Sequence, residues 1–89
     1  MRAVITVIGK DAVGILANVS AICAKYKANI TDVSQSILQD LFAMIMLVDI
    51  ADMDRQLSEL CDDMTELGKK LSLSIHVMHE DIFNCMHKI

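Results

Sequence analysis

The stretch Gly9-Lys10-Asp11-Ala12-Val13-Gly14-Ile15 holds an acid, a base and two of the chain's three glycines. It follows a β-branched run and precedes a helical one, so it joins a strand end to a helix start. Backbone N–H groups in a first helical turn lack intrahelical acceptors, and the helix dipole is positive there. A carboxylate is therefore favoured at that place. Gly14 has no Cβ and lets backbone or ligand approach closely. Asp11 could accept from a ligand ammonium, and Asn29 offers both a donor and an acceptor. Asp11, the backbone around Ala12, Val13, Gly14 and Ile15, and Asn29 together would suit an α-amino acid. A plainer reading stands beside this one: Asp11 caps the helix and Gly14 eases packing, and capping is compatible with ligand contact.

Other groups point to less. His76, His79, Cys85 and His87 suggest a metal at first sight. His76 and His79 face opposite ways if both are extended, and Phe83 stands where an H-E-x-x-H motif needs its second histidine. Solvated or packing histidines are the expectation, with no metal and no cofactor. Cys23 and Cys61 lie on apolar stripes and read as small buried hydrophobes. Three widely spaced cysteines without a C-x-x-C pair describe no disulfide framework and imply a reducing compartment, the cytoplasm. There is no Ser-His-Asp arrangement, no G-x-x-x-x-G-K-[ST] and no G-x-G-x-x-G. Lys10, Asp11 and Asp32 are polar residues that by themselves predict no reaction. An enzyme is not expected.

The elements that position these residues follow from periodicity. Residues 2–8 are rich in β-branched side chains and stopped by Gly9, a strand. Ile15, Leu16, Val19, Ile22, Cys23 and Tyr26 fall on one helical stripe, broken at Lys27-Ala28-Asn29. Ile30 to Leu38 and Leu41 to Asp49 are two strands joined by a tight turn at Gln39-Asp40. The second is apolar on both faces, as in a central strand with cover on each side. Asp52 or Asp54 can cap a second helix with the stripe Met53, Leu57, Leu60, Cys61, Met64, Leu67 and Leu71. The acidic face of that helix reads as solvated. Gly68 either frays it or permits close packing. Leu73, Ile75 and Val77 alternate with polar residues as a last strand. Ile82, Phe83 and Met86 give the tail, residues 80–89, the spacing of a short docking turn.

This order, β-α-β-β-α-β plus a helical tail, is α+β and ferredoxin-like. It predicts a four-stranded antiparallel sheet with two helices on one face, as a single domain over residues 1–89. Charge and composition narrow its use. Net charge is −4 with no basic cluster, which argues against direct nucleic-acid binding. The longest apolar run, Leu41 to Val48, is far short of the roughly 20 residues that span a bilayer, so no membrane role is expected. No cleavage signature follows the first residues, so no signal peptide is expected. An RNA-recognition sheet needs stacking aromatics, and Ala3–Ile8 has none while Leu41–Val48 has only Phe42. The first loop has neither the cysteines of a copper chaperone nor the arginine of an acylphosphatase.

With Val19 and Asn29-Ile30-Thr31-Asp32 behind it, the Gly9–Ile15 loop resembles that of the ACT domain, a regulatory amino-acid-binding module. The ending His79-Glu80-Asp81-Ile82-Phe83-Asn84-Cys85-Met86-His87-Lys88-Ile89 is similar to that of short stand-alone ACT-domain proteins akin to the glycine cleavage system transcriptional repressor. The resemblance spans essentially the whole chain. Many ACT domains have Pro before the second glycine where this chain has Val13, which makes this loop less rigid. The resemblance implies a homodimer with a small-molecule ligand, an amino acid first of all, held between subunits. The alternative is a ligand-free interaction module that regulates transcription or an enzyme through a protein partner.

The hydrophobic surplus supports a second subunit. At 54% the apolar content exceeds the usual 45–50% or so. Helices can cover only one sheet face, and an open face with this composition would be a poor monomer surface.

Overall fold

Alternation along the strands decides which side chains share a core. The computed structural model describes residues 1–10 and 13–86. Its elements are β1 (Arg2–Gly9), α1 (Ile15–Lys25), β2 (Asn29–Leu38), β3 (Leu41–Asp49), α2 (Leu57–Leu71), β4 (Ser74–His79) and α3 (Glu80–Met86). The four strands form one antiparallel sheet in the order β2-β3-β1-β4, so the two most apolar strands are central. Ala3, Ile5 and Val7 of β1 and Phe42, Met44, Met46 and Val48 of β3 point to one face and are buried. Ile15, Val19, Cys23 and Tyr26 of α1 and Leu60 and Met64 of α2 close that face. The architecture is the ferredoxin-like βαββαβ sandwich that the periodicity predicts, with a short third helix at the end.

Several local expectations need correction. Leu16 is 40% exposed and does not share the core side of the α1 stripe. Helix α2 starts at Leu57 with Gln56 at its N-cap, not at Asp52 or Asp54. The chain must first turn out of β3: Asp49 accepts from the Ala51 N–H at 2.9 Å, and Asp54 lies 3.6 Å from Lys27. Glu59 then accepts from the Gln56 N–H at 3.1 Å, satisfying an amide at the helix start. Met53 packs on the core from the preceding turn rather than from the helix. In the tail, Phe83 is half-buried, whereas Ile82 and Met86 are 56% and 67% exposed.

The face away from α1 and α2 is only partly covered. Helix α3 lies across it, tied down by an Arg2–Glu80 ion pair at 2.7 Å, and Val4 beneath is buried. Ile8, Leu41 and Ile45 on the same face stay 44–46% exposed. Phe83 separates two hollows there. One, of about 360 Å³, is bounded by Thr6, Ile8, His76 and Met86; the other, of about 210 Å³, lies over Val4 and Leu47.

A polar clamp joins α1 to α2. The Tyr26 hydroxyl donates to Asp63 at 2.6 Å, Lys25 reaches the same carboxylate at 3.4 Å, and the Arg55 guanidinium lies 4.9 Å from the Tyr26 ring centre. The Tyr26 hydroxyl bond holds the Asp63 carboxyl below the ordinary carboxylate value, with Lys25 helping. Its bond to Asp63, and then burial, push the Tyr26 phenol above 10. A lowered acid stabilises the fold above its unfolded pKa and ceases to do so as pH falls through the folded value. A raised phenol stabilises below 10 and ceases to do so as pH rises through the folded value. Tyr26→Phe is therefore expected to lower the melting temperature at pH 7. That difference should shrink as pH falls through the lowered Asp63 value, where the carboxylate is neutralised. Melting curves of both proteins across pH 2–8 check this, and a gap independent of pH contradicts it.

Candidate functional site

The β1–α1 connection is built around one backbone conformation. Gly14 has φ +72° and ψ 4°, the left-handed region where L side chains are strained. Among the described residues, a Cβ there would meet only Asn18 Nδ2, at an ordinary 3.5 Å. Glycine is required here for its dihedral angles. Gly14 is also the N-cap position of α1, and no described side chain caps the helix. The first turn carries no acidic residue, so nothing in it opposes the positive end of the dipole. Asn18 pins the turn from inside, donating to the Gly14 carbonyl through its backbone N–H at 3.0 Å and its Nδ2 at 2.7 Å. Sequence reasoning missed Asn18; its one signal is a polar amide one turn after a glycine at a helix start.

The other expected site residues divide. Asp11 and Ala12 lie outside the described residues. Val13 is 85% exposed, whereas the Ile15 side chain is in the core, leaving only its backbone facing the loop. Asn29 opens β2 and is exposed. It lies opposite Asp49, which on its other side pairs with Arg2, while Phe42 lies between Gly9 and Ile37. Seven register steps separate those two rows, about 23 Å at the usual rise per strand residue. Helix α1 carries the chain back along the sheet, so Asn29 sits at the end of the sheet opposite the loop. Within one chain, Asn29 and Gly14 are not brought together. Among the exposed apolar side chains at the loop end are Val13, Leu16 and Ile37.

The described histidines and cysteines are dispersed. His76 pairs across from Thr6 and His79 from Ala3, which places them on opposite faces of the sheet. His79 Nδ1 accepts from the Asp81 N–H at 3.1 Å, and His76 Nε2 lies 3.3 Å from the Ser74 hydroxyl. Cys85 is exposed, and His87 lies outside the described residues. Among the described residues, no three His, Cys, Asp or Glu side chains gather as metal ligands do. Cys23 is fully buried and its thiol is pushed up to about 11 by desolvation, an inert core group. No described helix is long and apolar enough to cross a membrane.

Residues 2–78, from the first strand through most of the last, match the ACT domain family. The chain belongs to the ACT domain family. Its relatives include a UPF0237 protein of Methanopyrus kandleri, 44% identical over 88 residues that cover 99% of this chain and 98% of that one. Among solved structures, an ACT domain protein from Streptococcus pneumoniae superposes with a TM-score of 0.81 at 36% identity, covering 93% of each chain. A structure named as a glycine cleavage system transcriptional repressor gives a TM-score of 0.75 over 85% of this chain and 43% of that one. At 14% identity it shares the fold alone. ACT domains typically serve regulation by binding small ligands. In this ACT domain, a left-handed Gly14 opens α1, and no described side chain caps that helix.

Proposed function

We propose that this ACT domain is a cytoplasmic, non-enzymatic regulatory protein that works as a homodimer. In this reading a small molecule, an amino acid first of all, is captured between subunits at the β1–α1 loop. The observation that carries it is the loop itself: a left-handed Gly14 opens α1 with no acidic residue in the first turn. A carboxylate placed there meets free N–H groups and the positive dipole end. The opposite placement of Asn29 supports a two-subunit site. β2 is a long edge strand, and a two-fold axis beside it would pair it antiparallel with its copy. Such pairing sets the start of one β2 beside the end of the other. Asn29 of one subunit then lies at the loop end of its partner, next to the exposed Val13, Leu16 and Ile37.

The test is thermal unfolding with each common amino acid, together with a mass measurement in solution. A ligand held only by the native state adds about 2.7 kcal/mol at a hundredfold excess over its Kd. One or more amino acids are expected to raise the melting temperature, and Asp11→Ala and Asn29→Ala should each blunt that rise. A mass near 9.9 kDa at micromolar concentration would remove the dimer. An absent response to every amino acid would remove the ligand. A stoichiometric protein partner without ligand response would instead favour a ligand-free interaction module.

A further inference from the structure

A second site, on the opposite face of the sheet, follows from a register shift in β2. Ile30 lies opposite Val48 and Asp32 opposite Leu47, so the intervening Thr31 is an extra residue, a bulge. The Thr31 hydroxyl donates to the Leu47 carbonyl at 3.0 Å. Past the bulge, Asp32 and Ser34 share the face of Leu47 and Ile45, their partners across the ladder. Bulges commonly re-aim side chains beside functional sites. Here the bulge puts a carboxylate and a hydroxyl at the edge of the smaller hollow under α3.

From the other side, α3 presents Glu80, Phe83 and Asn84, spaced i, i+3, i+4 and therefore on one helix face. The hollow, about 210 Å³, has an apolar floor of Val4, Ile45 and Leu47, an aromatic wall in Phe83, and oxygens at its rim. Its two carboxylates differ. Glu80 is occupied by Arg2 at 2.7 Å, whereas no described cation pairs with Asp32. A volume of this size holds roughly seven non-hydrogen atoms, taking about 30 Å³ for each small group. The net charge of −4 further disfavours an anion. We propose that this hollow binds a small primary amine with a short aliphatic body, its ammonium on Asp32 with Ser34 and Asn84 as further acceptors and its hydrocarbon on the Val4–Ile45–Leu47 floor. This site is separate from the loop site and does not depend on it.

Titrating ¹⁵N-labelled full-length protein with isoamylamine, isoamyl alcohol and isovalerate tests the assignment by NMR. Isoamylamine is expected to shift, saturably, the amides of residues 32–34 and 80–84, while isovalerate leaves them unmoved. Asp32→Asn removes the charge at constant shape and should weaken amine binding about tenfold or more, the size of a charge-assisted hydrogen bond. Ser34→Leu, on an exposed strand position, fills the hollow and should abolish binding. The proposal is overturned if the alcohol binds as well as the amine, or if both variants bind isoamylamine like the unmodified protein. Shifts confined to residues 13–18 would likewise overturn it, since they would mark the amine at the loop instead.

Discussion

Truncating Leu60 to alanine should destabilise the fold by about 3–5 kcal/mol, the usual cost of a fully buried Leu→Ala change. Leu60 has no exposed surface and sits where α2 closes over the core shared with α1 and the sheet. Removing its isobutyl group deletes the transfer free energy of those carbons and leaves a cavity that the surrounding core only partly fills. In a domain of this size about 1 kcal/mol shifts the melting temperature by roughly 4–8 °C, so the loss should be well over 10 °C. Leu16→Ala is the matched control. Leu16 is 40% exposed, and its truncation should cost about 1 kcal/mol or less. Thermal and urea unfolding of the two variants would separate them. Equal losses would mean that Leu16 is covered in solution, most simply by a second subunit at the loop end.

Leu60 and Leu16 also show what periodicity can and cannot establish. Both lie on apolar stripes of amphipathic helices, and a stripe of about 100° is wide enough to include positions at its margin. Which margin is buried depends on how far the neighbouring helix reaches, which is a tertiary fact. The sheet was more legible, because a two-residue period leaves only two faces to choose between, and β3 shows that it is central by being apolar on both. The candidate loop was legible as a loop, from its glycines and its place between strand and helix. The purpose of Gly14 was not, since conformational need and close approach leave the same letter in the sequence. Asn29 was legible as a polar residue ending the helical pattern, but its place at the start of β2 and its distance from the loop appear only once the register is known. The Tyr26–Asp63 clamp links residues 37 positions apart and has no local signature at all. The bulge at Thr31 is equally silent, for one extra residue looks like an imperfect alternation. That silence hid the hollow that Asp32 and Ser34 line together with residues of the third helix.

Gly68→Ala should destabilise the protein, against the local preference of the helix. Gly68 lies within α2, where alanine is ordinarily favoured over glycine by about 1 kcal/mol. Here the backbone leaves no room. A Cβ on Gly68 would stand 2.7 Å from the carbonyl oxygen of Leu73 and 3.4 Å from the Ile75 side chain. The first contact is with main chain, which cannot swing aside as a side chain can. Leu73 is also held to Gly68 directly, its N–H donating to the Gly68 carbonyl at 2.8 Å across a left-handed Ser72. The same leucine leans on Gly9, whose added Cβ would collide with its δ-methyl. Two glycines thus seat Leu73 where α2 ends and β4 begins, and moving the Leu73 carbonyl disturbs the strand that follows. Overpacking of this kind costs about 1–3 kcal/mol, more than the helix preference returns. The net expectation is a lower urea midpoint for Gly68→Ala and a still lower one for Gly68→Val. The order distinguishes close packing from simple fraying of the last helical turn. A frayed end would gain from alanine, and a raised midpoint for Gly68→Ala would show that α2 and β4 do not meet as closely as the structure has them.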